Sequence, residues 1–346
     1  MGTCCSNNSS GPDPFQELPK KVETASFKDK DNEELVNKAT KIQAHYRGHT
    51  VRRNMEQTKK SANPNSQTKN IHAPHEEMAI LVSHLPDISS EKVLQTLKKV
   101  GPFVYSFSYD NSLPELGPYK FEGGAYYQGQ WSYGKRHGRG KQIWEDGSIY
   151  EGYWHENMAH GPGRLIHADG DYYEGQWRKD KTDGSGTYIH MDGARYEGEW
   201  KEDKQHGQGK ETWPDGSSYE GSYKNGKKHG KGKFIWADQS CYEGDFQDNY
   251  IHGHGTYKWT DQRQYQGEWK FNKMDGKGVF LWADGRKYDG EYLEDKKHGY
   301  GIFEWPDDRK YEGYWENGKQ HGKGFYTHNG ERKEGEWKDG KRVKSA

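Results

Sequence analysis

Aromatic and glycine residues recur at a fixed spacing through the C-terminal two-thirds of this 346-residue chain. Each tyrosine of the series is followed by glycine two residues later and by a second aromatic residue four residues later. Alternate side chains of a strand point to one face, so this pattern predicts a strand with an aromatic face. Charged residues such as Glu197 and Glu199 lie between and predict a polar opposite face. The leading tyrosines, 23 residues apart, are Tyr127, Tyr150, Tyr173, Tyr196, Tyr219, Tyr242, Tyr265, Tyr288 and Tyr311.

The second half of each copy predicts a second strand. A glycine-rich segment, such as residues 134–140, separates the first strand from another aromatic pair, such as Phe303 and Trp305. We predict that this segment is the turn of a β-hairpin, because glycine adopts the positive φ angles of tight turns. Asp-Gly pairs close most copies and predict the turn into the next hairpin. The chain is therefore predicted to be mainly β, with an elongated, single-layer antiparallel sheet of hairpins over residues 124–346, in nine full copies and a degenerate tenth.

The Tyr-x-Gly-x-Trp segment followed by Gly-Lys-x-His-Gly-x-Gly resembles the MORN repeat (membrane occupation and recognition nexus) over about residues 124–341. The resemblance implies an extended, twisted antiparallel sheet that serves as a scaffold near membranes or the cytoskeleton. Long aromatic faces rarely stay exposed, so we expect a protein partner or a second copy on this face, with helices at residues 75–100 covering part of it. The residues predicted to form the binding face are Tyr196, Trp200, Trp213, Tyr219, Trp236, Trp259, Trp269 and Trp282.

The N-terminal part of the chain has a different organisation. We predict a disordered tether, a helix, a polar linker and a helical lead-in to the sheet, at residues 1–31, 32–60, 61–74 and 75–123. The lead-in predicts two short helices broken at Pro86, and Ser89 or Ser90 is placed to cap the second.

The first six residues fit the pattern for N-myristoylation, which needs glycine at position 2 and favours serine at position 6. Gly2 would accept the acyl chain, and Cys4 and Cys5 are positioned for palmitoylation. Two acyl chains give a stable anchor where a single myristate binds only weakly. The pattern predicts a peripheral protein at the cytoplasmic face of a membrane; the alternative is an incidental start with two free thiols.

The predicted helix at residues 32–60 resembles the IQ motif, which implies binding of calmodulin or a related EF-hand protein. An apolar stripe with surrounding basic side chains suits the groove of an acidic partner. The alternatives are a solvated basic helix or one that lies on anionic lipid. The matching residues are Ile42, Gln43, Arg47, Gly48 and Arg52.

Several classes of function are disfavoured. A formal net charge of -1 gives no general basic excess for nucleic acid. The repeated histidines would lie about 10 Å apart across two strands, too far to share one ion, so we predict no metal and no cofactor. No catalytic arrangement stands out, and the chain is predicted not to be an enzyme.

Two further functions follow from the MORN resemblance. One is a structural role in a ciliary or cortical cytoskeletal assembly. The other, less favoured, is regulation of phosphoinositide metabolism, because MORN repeats are sometimes fused to phosphatidylinositol phosphate kinases.

Overall fold

The computed structural model describes residues 79–88, 90–105 and 112–345. These residues form one α-helix, α1 (Glu91–Val100), and 22 β-strands. They divide into an N-terminal unit that ends at Ala237 and a C-terminal unit that begins at Asp238. The predicted acylation sites and the IQ-like segment lie outside the described residues. Within the described part, no helix is long and apolar enough to cross a membrane.

The strands of the N-terminal unit are β1 (Ala79–Leu81), β2 (Glu115–Phe121), β3 (Tyr126–Ser132), β4 (Lys135–Ile143), β5 (Ile149–His155), β6 (Met158–Ile166), β7 (Tyr172–Arg178), β8 (Lys181–Ile189), β9 (Arg195–Lys201), β10 (Lys204–Thr212), β11 (Ser218–Lys224) and β12 (Lys227–Ile235). Those of the C-terminal unit are β13 (Cys241–Gln247), β14 (Tyr250–Lys258), β15 (Gln264–Lys270), β16 (Lys273–Leu281), β17 (Lys287–Leu293), β18 (Lys296–Glu304), β19 (Lys310–Glu316), β20 (Lys319–His328), β21 (Glu331–Lys338) and β22 (Lys341–Ser345).

Within each unit, every strand pairs antiparallel with the strand that follows it in the chain. The prediction of a mainly β, antiparallel sheet of hairpins is confirmed. The sheet starts earlier than residue 124, because β1 and β2 precede the first full copy and pair with each other from Ala79 opposite Phe121. In the degenerate tenth copy, Gly335 and Trp337 still pair opposite Gly324 and Gly322, as in the full copies.

The hairpin turn is shorter than predicted. In the copy that starts at Tyr196, only Glu202 and Asp203 form it, with φ angles of 47° and 64°. Two successive positive φ angles are those of a type I′ turn, whose twist matches that of the flanking strands. The rest of the glycine-rich segment belongs to β10, including His206. The prediction that the whole segment forms a turn is therefore wrong.

The leading tyrosine explains the two glycines of each copy. The Tyr196 hydroxyl donates a hydrogen bond to the Glu199 carbonyl at 2.9 Å, beside an irregularity in the pairing of β9 with β10. The ring reaches this carbonyl by lying across Gly198 and Gly209. A Cβ atom on these residues would come within 2.7 and 2.5 Å of the Tyr196 hydroxyl. The two glycines are thus required because a side chain at either position would block the tyrosine ring from making this hydrogen bond.

Adjacent copies are joined through the first-strand tryptophan. Trp200 donates from its indole nitrogen to the Gly186 carbonyl of the preceding copy, at 3.0 Å. Its ring also makes edge-to-face contacts with Tyr173 and Tyr196, at centroid distances of 5.4 and 5.0 Å. Such aromatic pairs stabilise cross-strand packing beyond the area they bury. The contacts explain how a sheet with few aliphatic residues is held together.

Helix α1 lies on the polar face. Ser90 caps it by accepting a hydrogen bond from the Val93 amide, and Val93 packs against Ile143, Ile149 and Ile166. In the register of the sheet these isoleucines lie on the face opposite the leading tyrosines. The expectation that the N-terminal helices cover the aromatic face is therefore wrong. The expected first helix is also absent from the described residues, because Ala79–Leu81 is strand β1.

The polar face is locally apolar where α1 lies. Ile149 and Tyr153 occupy positions that hold Arg195 and Glu199 two copies later. The chain after α1 continues across the same face, and Tyr105 contacts Tyr153 edge-to-face at 5.7 Å. Helix α1 therefore docks where the residues of the sheet depart from the repeat pattern and become apolar.

Candidate protein-binding face

Most residues of the predicted binding face are buried within the sheet. Five of the eight have between 0 and 8% of their surface exposed. They are Tyr196, Trp200, Trp213, Tyr219 and Trp269. The other three remain partly exposed, namely Trp236, Trp259 and Trp282. The first-strand aromatics thus serve as the core of the sheet, and contact with a partner is left to tryptophans that follow the second strand.

In the C-terminal unit three such tryptophans form a regular series, which we call the tryptophan row: Trp259, Trp282 and Trp305. All three are partly exposed. Buried phenylalanines alternate with them, and Phe280 lies 5.3 Å from Trp259 and 4.3 Å from Trp282. Phe303 similarly lies 5.4 Å from Trp282 and 4.4 Å from Trp305. The result is a continuous strip of rings with one accessible tryptophan in each of three successive copies.

An arginine flanks each tryptophan of the row. The Arg286 guanidinium lies 5.5 Å from the centre of the Trp282 ring and bonds to Asp284 at 2.7 Å. This hydrogen bond lowers the pKa of the Asp284 carboxyl. The same arrangement joins Arg263 and Asp261 to Trp259, and Arg309 and Asp307 to Trp305. The charges along this edge are compensated pairwise, so the row presents an apolar strip with a neutral border.

A buried lysine lies on the aromatic face of the N-terminal unit. The Lys228 amine bonds to the Glu211 carboxylate at 2.9 Å, and both side chains are almost fully buried. The same carboxylate oxygen accepts a hydrogen bond from the Tyr223 hydroxyl at 3.0 Å. Rings of Trp213 and Tyr219 lie 5.0 and 5.1 Å from the amine. We call this arrangement the Lys228 cage.

A second lysine occupies the equivalent position three copies later. The Lys297 amine lies 4.6 Å from the Phe303 ring centre, with Trp315, Trp282 and Tyr288 at 4.9, 5.0 and 5.2 Å. Lys297 is only 7% exposed. Burial among rings that solvate a charge poorly, together with the nearby charge of Arg286, lowers the pKa of Lys297 to about 7. We call this arrangement the Lys297 cage.

The two cages differ in one residue of the preceding copy. Glu211 lies 17 residues before Lys228, and the residue 17 before Lys297 is Phe280. No carboxylate pairs with Lys297 within the described ranges. The Tyr292 hydroxyl, which corresponds to that of Tyr223, is buried and has no hydrogen-bond partner there.

A third cation, Arg136, lies in a similar place in the first copy. Its guanidinium is 4.4 Å from the centre of the Trp154 ring and donates to the Asn157 carbonyl at 2.9 Å. Gln142 accepts a further hydrogen bond. Burial lowers the pKa of Arg136 to about 10. This cation has neutral acceptors in place of a carboxylate.

The repeated histidines do not form a metal centre in the described part of the chain. His137 and His160 lie on either side of His155, at ring distances of 4.7 and 5.6 Å. Burial and His155 lower the pKa of both. Among the described residues no group of three or more histidine, cysteine or acidic side chains is arranged to hold an ion.

Sequence reasoning missed the lysine cages and the place of Trp305 in the row. The signal was available, since Lys228 and Lys297 stand where three other copies carry the apolar residues Ala159, Ile251 and Met274. A single lysine in a lysine-rich chain does not reveal its burial, however. Only the pairing of each lysine opposite a first-strand aromatic shows that it points to the aromatic face.

Comparisons with known proteins agree with the repeat pattern. The family model described as "MORN repeat" matches ten segments, residues 127–149, 150–172, 173–195, 196–218, 219–241, 242–262, 265–285, 288–308, 311–331 and 334–343. The model "IQ calmodulin-binding motif" matches residues 36–56. These matches cover more than half of the chain, which therefore belongs to the MORN-repeat family. No curated protein sequence matches the chain.

Solved structures give only distant similarity. The TCP10 domain of Danio rerio CPAP with a STIL peptide is 12% identical, with 68% of this chain and 99% of that chain covered and a TM-score of 0.37. The SAS-4 (dCPAP) TCP domain of Drosophila melanogaster with a proline-rich motif of Ana2 is also 12% identical, with coverages of 54% and 95% and a TM-score of 0.29. A streptogramin B lyase is 12% identical, with coverages of 66% and 86% and a TM-score of 0.14.

Proposed function

We propose that this protein is a non-catalytic interaction scaffold that docks a protein partner on the tryptophan row. The observation that carries the proposal is the series of partly exposed tryptophans, Trp259, Trp282 and Trp305, on a face otherwise closed by its own packing. Tryptophan is enriched among the residues that dominate binding energy, because its large ring buries much area at little entropic cost. The neutral border of the row favours a partner with an apolar docking surface.

Selection of random 12-residue peptides on the full chain tests this docking function. We expect selected peptides to lose at least tenfold in affinity for a Trp282→Ala variant, measured by fluorescence anisotropy. Tyr314→Ala is the matched control, because Tyr314 is 54% exposed but lies on the polar face. Peptides that bind both variants as tightly as the wild type would show that the row is not the docking site.

The IQ motif supplies the second proposed interaction. We propose that residues 36–56 bind calmodulin or a related EF-hand protein, with Ile42 as an apolar anchor and Arg47 and Arg52 facing an acidic partner. Gln43 and Gly48 complete the motif. Calorimetry with calmodulin, with and without calcium, tests this assignment. Equal heats for the wild type and Ile42→Ala would contradict it.

The N-terminus supplies the proposed location. We propose that acylation of Gly2, Cys4 and Cys5 holds the scaffold at the cytoplasmic face of a membrane, since the sequence fits the N-myristoylation pattern and two acyl chains anchor stably. A Gly2→Ala variant should leave the membrane fraction of cells. An unchanged distribution of this variant would rule out the anchor.

A further inference from the structure

The Lys297 cage lacks the partner that its counterpart contains. In the Lys228 cage, one oxygen of Glu211 accepts from both the Lys228 amine and the Tyr223 hydroxyl. In the Lys297 cage the corresponding donors remain, but the Tyr292 hydroxyl has no hydrogen-bond partner and no carboxylate of the described residues pairs with the buried Lys297 amine. Buried donors without acceptors are costly, so a group that supplies one is bound favourably.

The Lys297 cage is also next to the proposed docking surface. Trp282 belongs to both, since it is partly exposed in the tryptophan row and lies 5.0 Å from the Lys297 amine. The amine is therefore one ring away from the surface that a partner would cover. The neighbouring Arg286 is already paired with Asp284, which leaves Lys297 as the buried cation without a counter-charge in this copy of the described sheet.

We propose that the Lys297 cage accepts the carboxylate of an aspartate or glutamate side chain carried by the partner that docks on the tryptophan row. This inference rests on the docking function proposed above and adds the chemistry of recognition. The complementary partner segment is apolar where it meets the tryptophans and carries one acid that reaches Lys297. Aromatic surroundings exclude water and strengthen such an ion pair, as in the Lys228 cage.

The two cages provide matched variants. Phe280→Glu places an acid at the position that Glu211 holds relative to Lys228, so it should fill the Lys297 cage from within the chain. Lys297→Met removes the amine and keeps an apolar side chain of similar length. It also serves as the second variant if Phe280→Glu folds poorly.

The test uses the peptides selected on the full chain. We expect them to be enriched in one aspartate or glutamate, and its replacement by asparagine or glutamine should weaken binding to the wild type at least tenfold. The same replacement should change binding to Lys297→Met or Phe280→Glu less than twofold. Side-chain NMR of the wild type should also show the Lys297 pKa rising when the acidic peptide binds.

Two results would overturn the inference in distinguishable ways. Peptides that depend on Trp282 but show no acid requirement would refute the carboxylate site and leave the docking function standing. Peptides that bind without dependence on Trp282 would refute the docking function, and this inference would fall with it.

Discussion

The Lys228 and Lys297 cages place the same side chain in nearly the same surroundings. Each lysine comes from the second strand of its copy and is enclosed by four aromatic rings. Glu211 balances the charge of Lys228, whereas Phe280 occupies the equivalent register position in the copy before Lys297, opposite Tyr288. One substitution between copies thus separates a neutralised buried ion pair from an isolated buried cation.

The comparison shows how a repeat sheet can change its chemistry without changing its fold. The tyrosines, glycines and strand pairings are the same in both copies. Cation–π contacts offset part of the cost of burying an amine, but a carboxylate offsets far more. The Lys228 cage is therefore built for stability, and the Lys297 cage retains an unmet requirement for an acceptor.

Breaking the ion pair should have the largest effect. Glu211→Gln leaves Lys228 buried without a counter-charge, and removal of one partner from such a pair costs about 3–5 kcal/mol. The measurement is amide hydrogen exchange in β10, β11 and β12, which reports the local opening free energy of one part of a repeat sheet. A Glu211→Leu, Lys228→Met double variant is the control and should recover most of the loss. Protection equal to that of the wild type in Glu211→Gln would show that the pair contributes little.

Removing the unpaired amine of Lys297 should have the opposite effect and increase stability. Lys297→Met replaces a poorly solvated amine by an apolar side chain and should stabilise β17 and β18 at pH 7 by about 1–4 kcal/mol, the range observed when buried ion pairs are replaced by apolar residues of similar volume. Urea unfolding followed by tryptophan fluorescence measures the change. Destabilisation by this variant would mean that the cage stabilises the charged amine after all.

The stability of the wild type and that of Lys297→Met should depend differently on pH. The pKa of Lys297 is about 7 in the folded state, against an ordinary lysine value of 10.5 in the unfolded chain. Between pH 7 and pH 10.5 the unfolded chain therefore binds more protons than the folded protein. Stability of the wild type should therefore rise with pH in this window, by up to about 1.4 kcal/mol per pH unit. The urea midpoint of the wild type should lie below that of Lys297→Met at pH 7, and the gap should be smaller at pH 9, because the stability of the variant lacks this contribution. A constant gap between the two proteins would refute the lowered pKa.

The tyrosine hydroxyls should give the smallest effects. Tyr223→Phe removes a hydrogen bond to a buried carboxylate, which is worth about 1.5–3 kcal/mol. Tyr292→Phe removes a hydroxyl that has no partner in the described structure, so its effect should be near zero or slightly stabilising. Urea unfolding of both variants under one condition tests the contrast. Equal losses would indicate that Tyr292 has an acceptor in solution.

The repeat architecture could be predicted from the sequence because its determinants are local. Tyr196, Gly198 and Gly209 fix the strands through one hydrogen bond and the steric space that it needs. Each copy of the repeat has the same requirements, so they are visible in the sequence as a periodic pattern. The Ser90 cap of α1 is equally local, and it was one of the two candidates that the sequence offered.

Tertiary structure alone decided the rest, because burial depends on what covers a residue. The sequence places Trp269 and Trp282 on the same aromatic face, yet one is 3% exposed and the other remains accessible. Helix α1 packs on the polar face because Ile149 and Tyr153 make that face apolar in this part of the sheet. The contrast between Lys228 and Lys297 arises from the residues 17 positions earlier, each of which pairs opposite the leading tyrosine of the copy that contains the lysine. Local motifs determined the sheet, and contacts between copies determined which charges are satisfied and which surface is left to bind.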